Sequence, residues 1–254
     1  MKKILLFSEW LSGTVFLLFL WWLCSDWMHW INPFLLPPLE SILPKLQKLV
    51  FAGIILPDLQ ATCYRWAAGF FLGTLSGLLI GLVLGISPRI YRAFELPIEF
   101  FRAMPVTAIF PLYLVFLGIG DESKIAMAFT PTFLLMLINA AYGVSHSPHS
   151  RQHMAKVFGA THWQIFRKII FFDALPQIFI GLRHAVSLSL IVTVVSEMFI
   201  GTELGLGQRV YDSYLTNQTP TLYALLILLG IMGYLMNKLV ITIEKKFIFW
   251  AGRS

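Results

Sequence analysis

Residues 67–86 read AAGFFLGTLSGLLIGLVLGI. Twenty residues pass without a charge, enough helix to cross the hydrocarbon of a bilayer, roughly 30 Å thick. Gly69, Gly73, Gly77, Gly81 and Gly85 recur at every fourth position, so on a helix they share one face. A face without side chains lets another backbone approach closely. It reads as tight helix packing or, more sharply, as a surface that slides between transport states. The whole chain agrees with a membrane setting. Of its 254 residues, 57% are hydrophobic and 13% charged, and the mean hydropathy is +0.75. An ordinary soluble protein carries about 25% charged residues. One globule cannot hide so much apolar surface, whereas lipid solvates it. A soluble enzyme, a disordered chain and a disulfide-built module are excluded. Cys24 and Cys63 show neither metal nor redox spacing and read as apolar fillers. No metal or other cofactor is expected. The net charge of +6 is dispersed between apolar spans, so no nucleic-acid partner is expected either.

Working outward gives five more candidate spans: Leu11 to Ile31, Ala103 to Gly120, Ile125 to Gly143, Gln177 to Ile200 and Leu222 to Val240. The first ends in Trp27, His29 and Trp30, which suit a membrane interface better than a signal-peptide cleavage site. A proline-rich linker (Pro33, Pro37, Pro38, Pro44) and a surface amphipathic stretch around Ile42 to Ile55 separate it from residues 67–86. This organises the chain as an N-terminal helix (1–35), an extracytoplasmic linker (36–66), a five-helix core (67–245) and a cytoplasmic tail (246–254). Basic residues set the orientation. With both termini in the cytoplasm, Lys2, Lys3, Arg89, Arg92, Arg102, Arg151, Lys156, Arg167, Lys168, Arg183, Lys238, Lys245, Lys246 and Arg253 lie inside. Lys45, Lys48, Arg65, Lys124 and Arg209 lie outside, so 14 of the 19 basic groups face inward. The polar loop 144–173 then falls in the cytoplasm.

Within the spans, Pro105, Pro111, Pro131 and Pro176 each free a backbone carbonyl and make the third and fourth spans candidates for lining a pathway; ordinary kinks serve as well. Glu197 is an ionisable residue in a span and hence a functional suspect. It either faces a cavity or caps the turn from Gly201 to Gly207. It lies about 21 Å along a helix from Arg183, too far to pair with it, and Arg183 is free to snorkel to the cytoplasmic surface. No phosphate loop, metal-binding H-E-x-x-H or G-x-S-x-G element occurs. Gly118-Ile119-Gly120-Asp121 and Tyr211-Asp212 resemble the elements of intramembrane aspartyl proteases, but in the reverse order, and Asp121 is placed in a short outer loop. A secondary transporter would need more buried carboxylates than Glu197 alone. His146, His149, His153 and His162 match no zinc spacing.

The loop from Arg151 reads RQHMAKVFGATHWQIFRKIIFFDALP. Two helical pieces flank Gly159-Ala160, one ending near Phe158 and one spanning about Thr161 to Phe171. The second is amphipathic, built to dock in a groove or lie on headgroups. This loop resembles the EAA motif, E-A-A-x3-G-x9-I-x-L-P, of permease subunits in binding-protein-dependent ABC importers. The match runs through His153, Met154, Ala155, Gly159, Ile169 and Phe171-Phe172, with Ala160 beside the glycine. Stretches from Leu36, Arg65, Arg102 and Gly181 are similar to the nitrate, sulfonate and taurine branch. The motif glutamate is His153 here, its first alanine Met154, and its Leu-Pro is Phe171-Phe172.

The resemblance implies an all-α membrane protein with six transmembrane helices and the type I importer permease (MetI-like) architecture, in a bacterial inner membrane. It implies a transport subunit rather than an enzyme. The expected partners are two ABC ATPase subunits, a second permease copy (a homodimer), an extracytoplasmic solute-binding protein and the lipid bilayer. Loop 144–173 would couple ATP hydrolysis on the partner to movement of the spans. Pro105, Pro111 and Glu197 are the candidates for pathway or gate. The implied solute is nitrate-, sulfonate- or taurine-like, with a thiamine-precursor pyrimidine or another small heterocycle as the alternative.

Overall fold

The computed structural model describes residues 2–27 and 31–248. The described residues form helices and short connections, with no strand among them. His29, Trp30 and Arg253 lie outside the described residues.

The chain divides into two compact units, 1–56 with 209–229, and 57–208 with 230–254. In the first, α1 (Lys2–Trp22) runs into a π-helical turn, Leu23–Trp27, and α2 spans Leu39–Phe51. Trp21 ties α1 down twice. Its indole N–H donates to the Pro37 carbonyl at 3.1 Å, and its ring meets Tyr223 edge-on at 5.2 Å. The Tyr223 hydroxyl donates to the Leu35 carbonyl at 2.9 Å. The proline-rich linker is thus stapled by aromatic residues, which combine apolar area with a polar tip.

The second unit is built on α3 (Leu56–Ile86), α6 (Asp121–Ser145) and α9 (Phe171–Ile200); α10 (Leu206–Leu215) begins in it, and α11 (Thr219–Phe247) completes it from Gly230 onward. The five glycines of α3 face α6. A methyl group at Gly69 would sit 2.6 Å from the Ala128 Cβ, and one at Gly85 would sit 2.6 Å from the Val144 Cβ. Each glycine is matched to the residue 59 positions later, so α3 and α6 run parallel. α9 runs against α6: Gly143 meets Ala174, and Gly181 meets Asn139. α11 runs against α9, since Phe179 stacks on Phe247 and Gly233 meets Leu190.

Parallel packing of α3 and α6 has a topological consequence. The chain leaves α3 beside Val144 and must re-enter α6 at Asp121, beside Arg65. It therefore travels back along the packed length, about 24 Å from Gly85 to Gly69. That return is made by α4 (Pro88–Ala103), a 3-10 turn (Val106–Ile109) and α5 (Phe110–Leu117). The two arms meet at 89°. The predicted straight span from Ala103 to Gly120 is corrected here: α5 has eight residues, about 12 Å of helix, and cannot cross alone. The break follows from Pro105, which forces Met104 out of the helical region to φ −77°, ψ 129°. Pro105 precedes the 3-10 turn and Pro111 lies in the first turn of α5, so both prolines begin helices rather than kink them. Among the described residues four helices are long and apolar enough to span, or five with the bent pair. Among these residues length and composition support up to five of the six expected spans.

Candidate functional site

Two regions of the second unit carry most of its chemistry, at opposite ends of α6. At the Ser145 end lies the loop. α7 (His149–Val157) stops at Phe158, and Gly159 takes φ +79°. The Ala160 N–H donates to the Ala155 carbonyl at 3.0 Å and the Gly159 N–H to Lys156 at 2.9 Å. These two bonds are a Schellman stop, which favours glycine at the left-handed position. α8 (His162–Ile165) then starts from a capping box: Gln164 N–H donates to the Thr161 hydroxyl at 3.3 Å, and the Thr161 N–H donates back to the Gln164 side chain at 2.8 Å. A π-helical turn, Phe166–Ile170, joins α8 to α9, so helix continues from His162 to Ile200. The second amphipathic piece expected from the sequence is therefore an extension of the fifth span. Arg151 pairs with Asp173 at the base of α9, and the Ser147 hydroxyl donates to the same carboxylate at 2.9 Å. The turn is braced on both sides.

The tip of this loop exposes apolar groups. Phe158 is 89% exposed, Val157 86%, Trp163 66% and Met154 59%. His153 is exposed beside them, Ala155 and Ala160 are half-buried, and Ile169, Phe171 and Phe172 lie nearer the spans, with Phe172 exposed. The residues singled out in the sequence thus form a contiguous structural element, a short helix, its glycine stop and the following helix start.

At the Asp121 end lies a buried ion network. Glu197 is fully buried, and the Arg65 Nη1 donates to its Oε1 at 2.6 Å. Arg65 Nε reaches Asp121 at 2.7 Å, Nη1 the Leu204 carbonyl at 2.7 Å and Nη2 the Thr202 hydroxyl at 2.9 Å. Glu197 also accepts from the Thr62 hydroxyl at 2.9 Å and from the Gly207 N–H at 2.9 Å. The Asp58 carboxylate accepts from the Gly205 N–H, and the Thr62 hydroxyl from the Leu206 N–H, both at 2.9 Å. Gly205 passes so close that a Cβ there would meet the Glu197 carboxyl carbon at 2.7 Å. Lys124 is buried nearby and donates to the Ile119 carbonyl at 2.9 Å and to Gly120 at 3.1 Å. Glu197 thus caps the 201–207 turn at the Gly207 N–H. An open cleft of about 380 Å³ borders the network, lined in part by Arg65, Asp121, Lys124 and Glu203.

One sequence expectation is corrected and two residues gain partners the sequence did not suggest. Arg183 pairs with Glu244 in the last turns of α11 and stays partly exposed. Arg65 and Lys124, counted on the outer side, are buried and engaged. Asp121 is the first residue of α6 rather than part of a loop, and its carboxylate is committed to Arg65. A proton-sharing aspartate dyad needs a carboxylate that is not committed to a cation. Among the described residues no cluster of His, Cys, Asp or Glu is disposed to hold a metal. The network itself went unread in the sequence. The signal was there: three ionisable residues of opposite sign, Arg65, Asp121 and Glu197, at the same ends of their elements.

Comparison with known proteins gives this geometry its setting. The chain is similar to a probable ABC transporter permease protein of Brucella abortus (strain 2308), 30% identical over 220 residues, covering 86% of this chain and 87% of the relative. It is similar to the taurine transport system permease protein TauC of Escherichia coli (strain K12), 28% identical over 243 residues, covering 93% and 87%. Its fold is similar to a chain of the MetNI methionine ABC transporter solved in inward-facing conformations, with a TM-score of 0.67 at 20% identity, covering 79% of this chain and 98% of that one. Residues 73–247 match the model of the binding-protein-dependent transport system inner membrane component. The chain belongs to that family, the inner-membrane permease subunits of ABC importers.

Proposed function

We propose that this permease moves a small oxyanion, of the sulfonate or nitrate kind, inward across the bacterial inner membrane, driven by ATP hydrolysis on two partner subunits docked at loop 144–173. A second copy of the chain completes the pathway, and a solute-binding protein delivers the solute from outside. One observation carries the reading: a turn braced by a Schellman stop, a capping box and the Arg151–Asp173 pair presents Phe158, Val157 and Met154 to solvent. Exposed apolar groups on a rigid element are what a groove on a partner receives. His153 replaces the glutamate of the motif, so the partner contact there does not depend on a fixed negative charge.

The orientation follows from charge. Arg89, Arg92, Arg151, Lys156, Arg167, Lys168, Lys245 and Lys246 belong to the loop end of the second unit. At the opposite end Arg65 and Lys124 are buried and satisfied. Cytoplasmic placement of the loop end, with the core at 67–245, satisfies the positive-inside bias. The glycine face of α3 serves packing against α6 in this reading.

The test is reconstitution with the ATPase subunit and solute-binding protein encoded beside this permease. Taurine and nitrate uptake into vesicles is expected to require both partners and ATP. Uptake that proceeds without an ATPase would overturn the reading. Replacing Gly159 by Trp is expected to abolish ATPase docking and uptake together.

A further inference from the structure

The arm of the broken span that precedes the bend carries an unusual charge pattern. Arg92, Glu95, Glu99 and Arg102 recur at intervals of three and four residues along α4. On a helix they fall within an arc of about 80°. Next to this stripe, buried Ile98 packs with Leu84, Leu137 and Ala141, and Tyr91 packs against them. The stripe itself stays out of the core: the Glu99 and Arg102 side chains are 49% and 60% exposed.

The stripe also climbs into the span. Arg102 lies beside Leu134, Leu135 and Ile138 of α6 and Leu188 of α9. Leu135 is about 21 Å along α6 from Asp121 and about 15 Å from Ser145. The structure thus puts Arg102 beside the middle of α6. With α6 spanning the bilayer, charges beside its middle face protein or water rather than lipid. The irregular backbone at Met104-Pro105 is at the same place, and non-helical backbone at membrane depth occurs only inside protein or beside a water-filled cavity. Two independent features, a charged stripe and a broken helix, thus call for water at one point.

Beyond Arg102 the wall changes character. Thr107, Phe110, Met127, Ser196 and Phe199 line a cavity of about 260 Å³, and Phe110 stacks on Phe199 at 6.3 Å. Arg102 is the last cation before this mostly apolar stretch. Glu99 engages its Nε and Nη2, and its Nη1 edge has no partner among the described residues. A guanidinium presents a planar fork matched to oxyanions.

We propose that the α4 stripe lines a water-filled vestibule opening at the loop end, and that Arg102 at its head is the contact for a small oxyanion solute. The proposal rests on the transport reading above and assigns the pathway a residue. The glycine face of α3 and the outer cleft are not required by it.

The test uses the assembled importer in lipid nanodiscs, with Cys24 and Cys63 replaced by Ser and Met104→Cys as the reporter. Reaction rates are measured with anionic sulfonatoethyl methanethiosulfonate and with its cationic trimethylammonium counterpart. Both reagents are expected to react. Arg102→Gln is expected to lower the anionic-to-cationic rate ratio about three- to tenfold, the size of one charge acting through water at about 6 Å. Arg102→Lys keeps most of the ratio, and Glu99→Gln raises it. No reaction with either reagent, as lipid or a partner chain covering the stripe would give, overturns the vestibule. So does a ratio unchanged by both Arg102→Gln and Glu99→Gln. ATPase co-purification is read on the same samples. If the ATPase stays bound while the ratio does not move, the vestibule alone fails; if the ATPase never binds, the transport reading fails.

Discussion

The two ends of α6 solve opposite problems. At the Asp121 end, charges are buried and nearly every polar atom of Arg65, Glu197 and Thr62 has a partner within 3.0 Å. At the Ser145 end, the backbone turn is fully satisfied while its large apolar side chains are left in solvent. A satisfied interior holds a shape, and an unsatisfied exterior waits for something. The first end is a latch joining α3, α6, α9 and the 201–207 turn. The second is where the function proposed above docks the ATPase.

The comparison breaks most easily at the latch. Arg65→Ala strands the buried Glu197 carboxylate, and Glu197→Ala strands the guanidinium. Each is expected to destabilise the protein by about 3–5 kcal/mol, read as a large fall in thermal midpoint in detergent. Joint replacement by a shape-matched apolar pair is expected to cost much less than either single change, because no charge is then left unpaired. A joint change as costly as the singles would show that the hydrogen bonds to Thr62 and Gly207 dominate.

Smaller effects separate the two ends. Gly159→Ala meets open space but must hold a left-handed backbone, at about 1–2 kcal/mol. Thr161→Ala removes the capping box, at about 1 kcal/mol. Both are expected to lower uptake more than their stability loss explains, since they loosen the proposed docking element. Phe158→Ser should be the smallest in stability, within about 0.5 kcal/mol for an exposed position, yet should abolish ATPase co-purification. A Phe158→Ser protein that retains its ATPase would put the docking surface elsewhere.

How much of this was legible in the sequence depends on the range of the interaction. The glycine face at 69–85 and the turn at Gly159 are local patterns, and each maps onto a local structure: one helix face against α6, one Schellman stop. The latch is not local. Arg65 and Glu197 are 132 residues apart, and counting Arg65 as an outer cation hid its burial. The arm at 88–103 failed for another reason. It fell between two predicted spans and was not assigned, though the three- and four-residue spacing of its charges marks an amphipathic helix. Pro105 signalled irregular backbone; that it begins a new helix after an 89° bend required the parallel packing of α3 and α6.

The central claim is that the loop tip is where the motor pushes. The most direct measurement places Phe158→Cys in a transport-active importer and cross-links it to single cysteines on the ATPase surface. The account predicts a specific adduct to the ATPase whose formation abolishes ATP-driven uptake. An active importer in which residue 158 forms no adduct with the ATPase would contradict it.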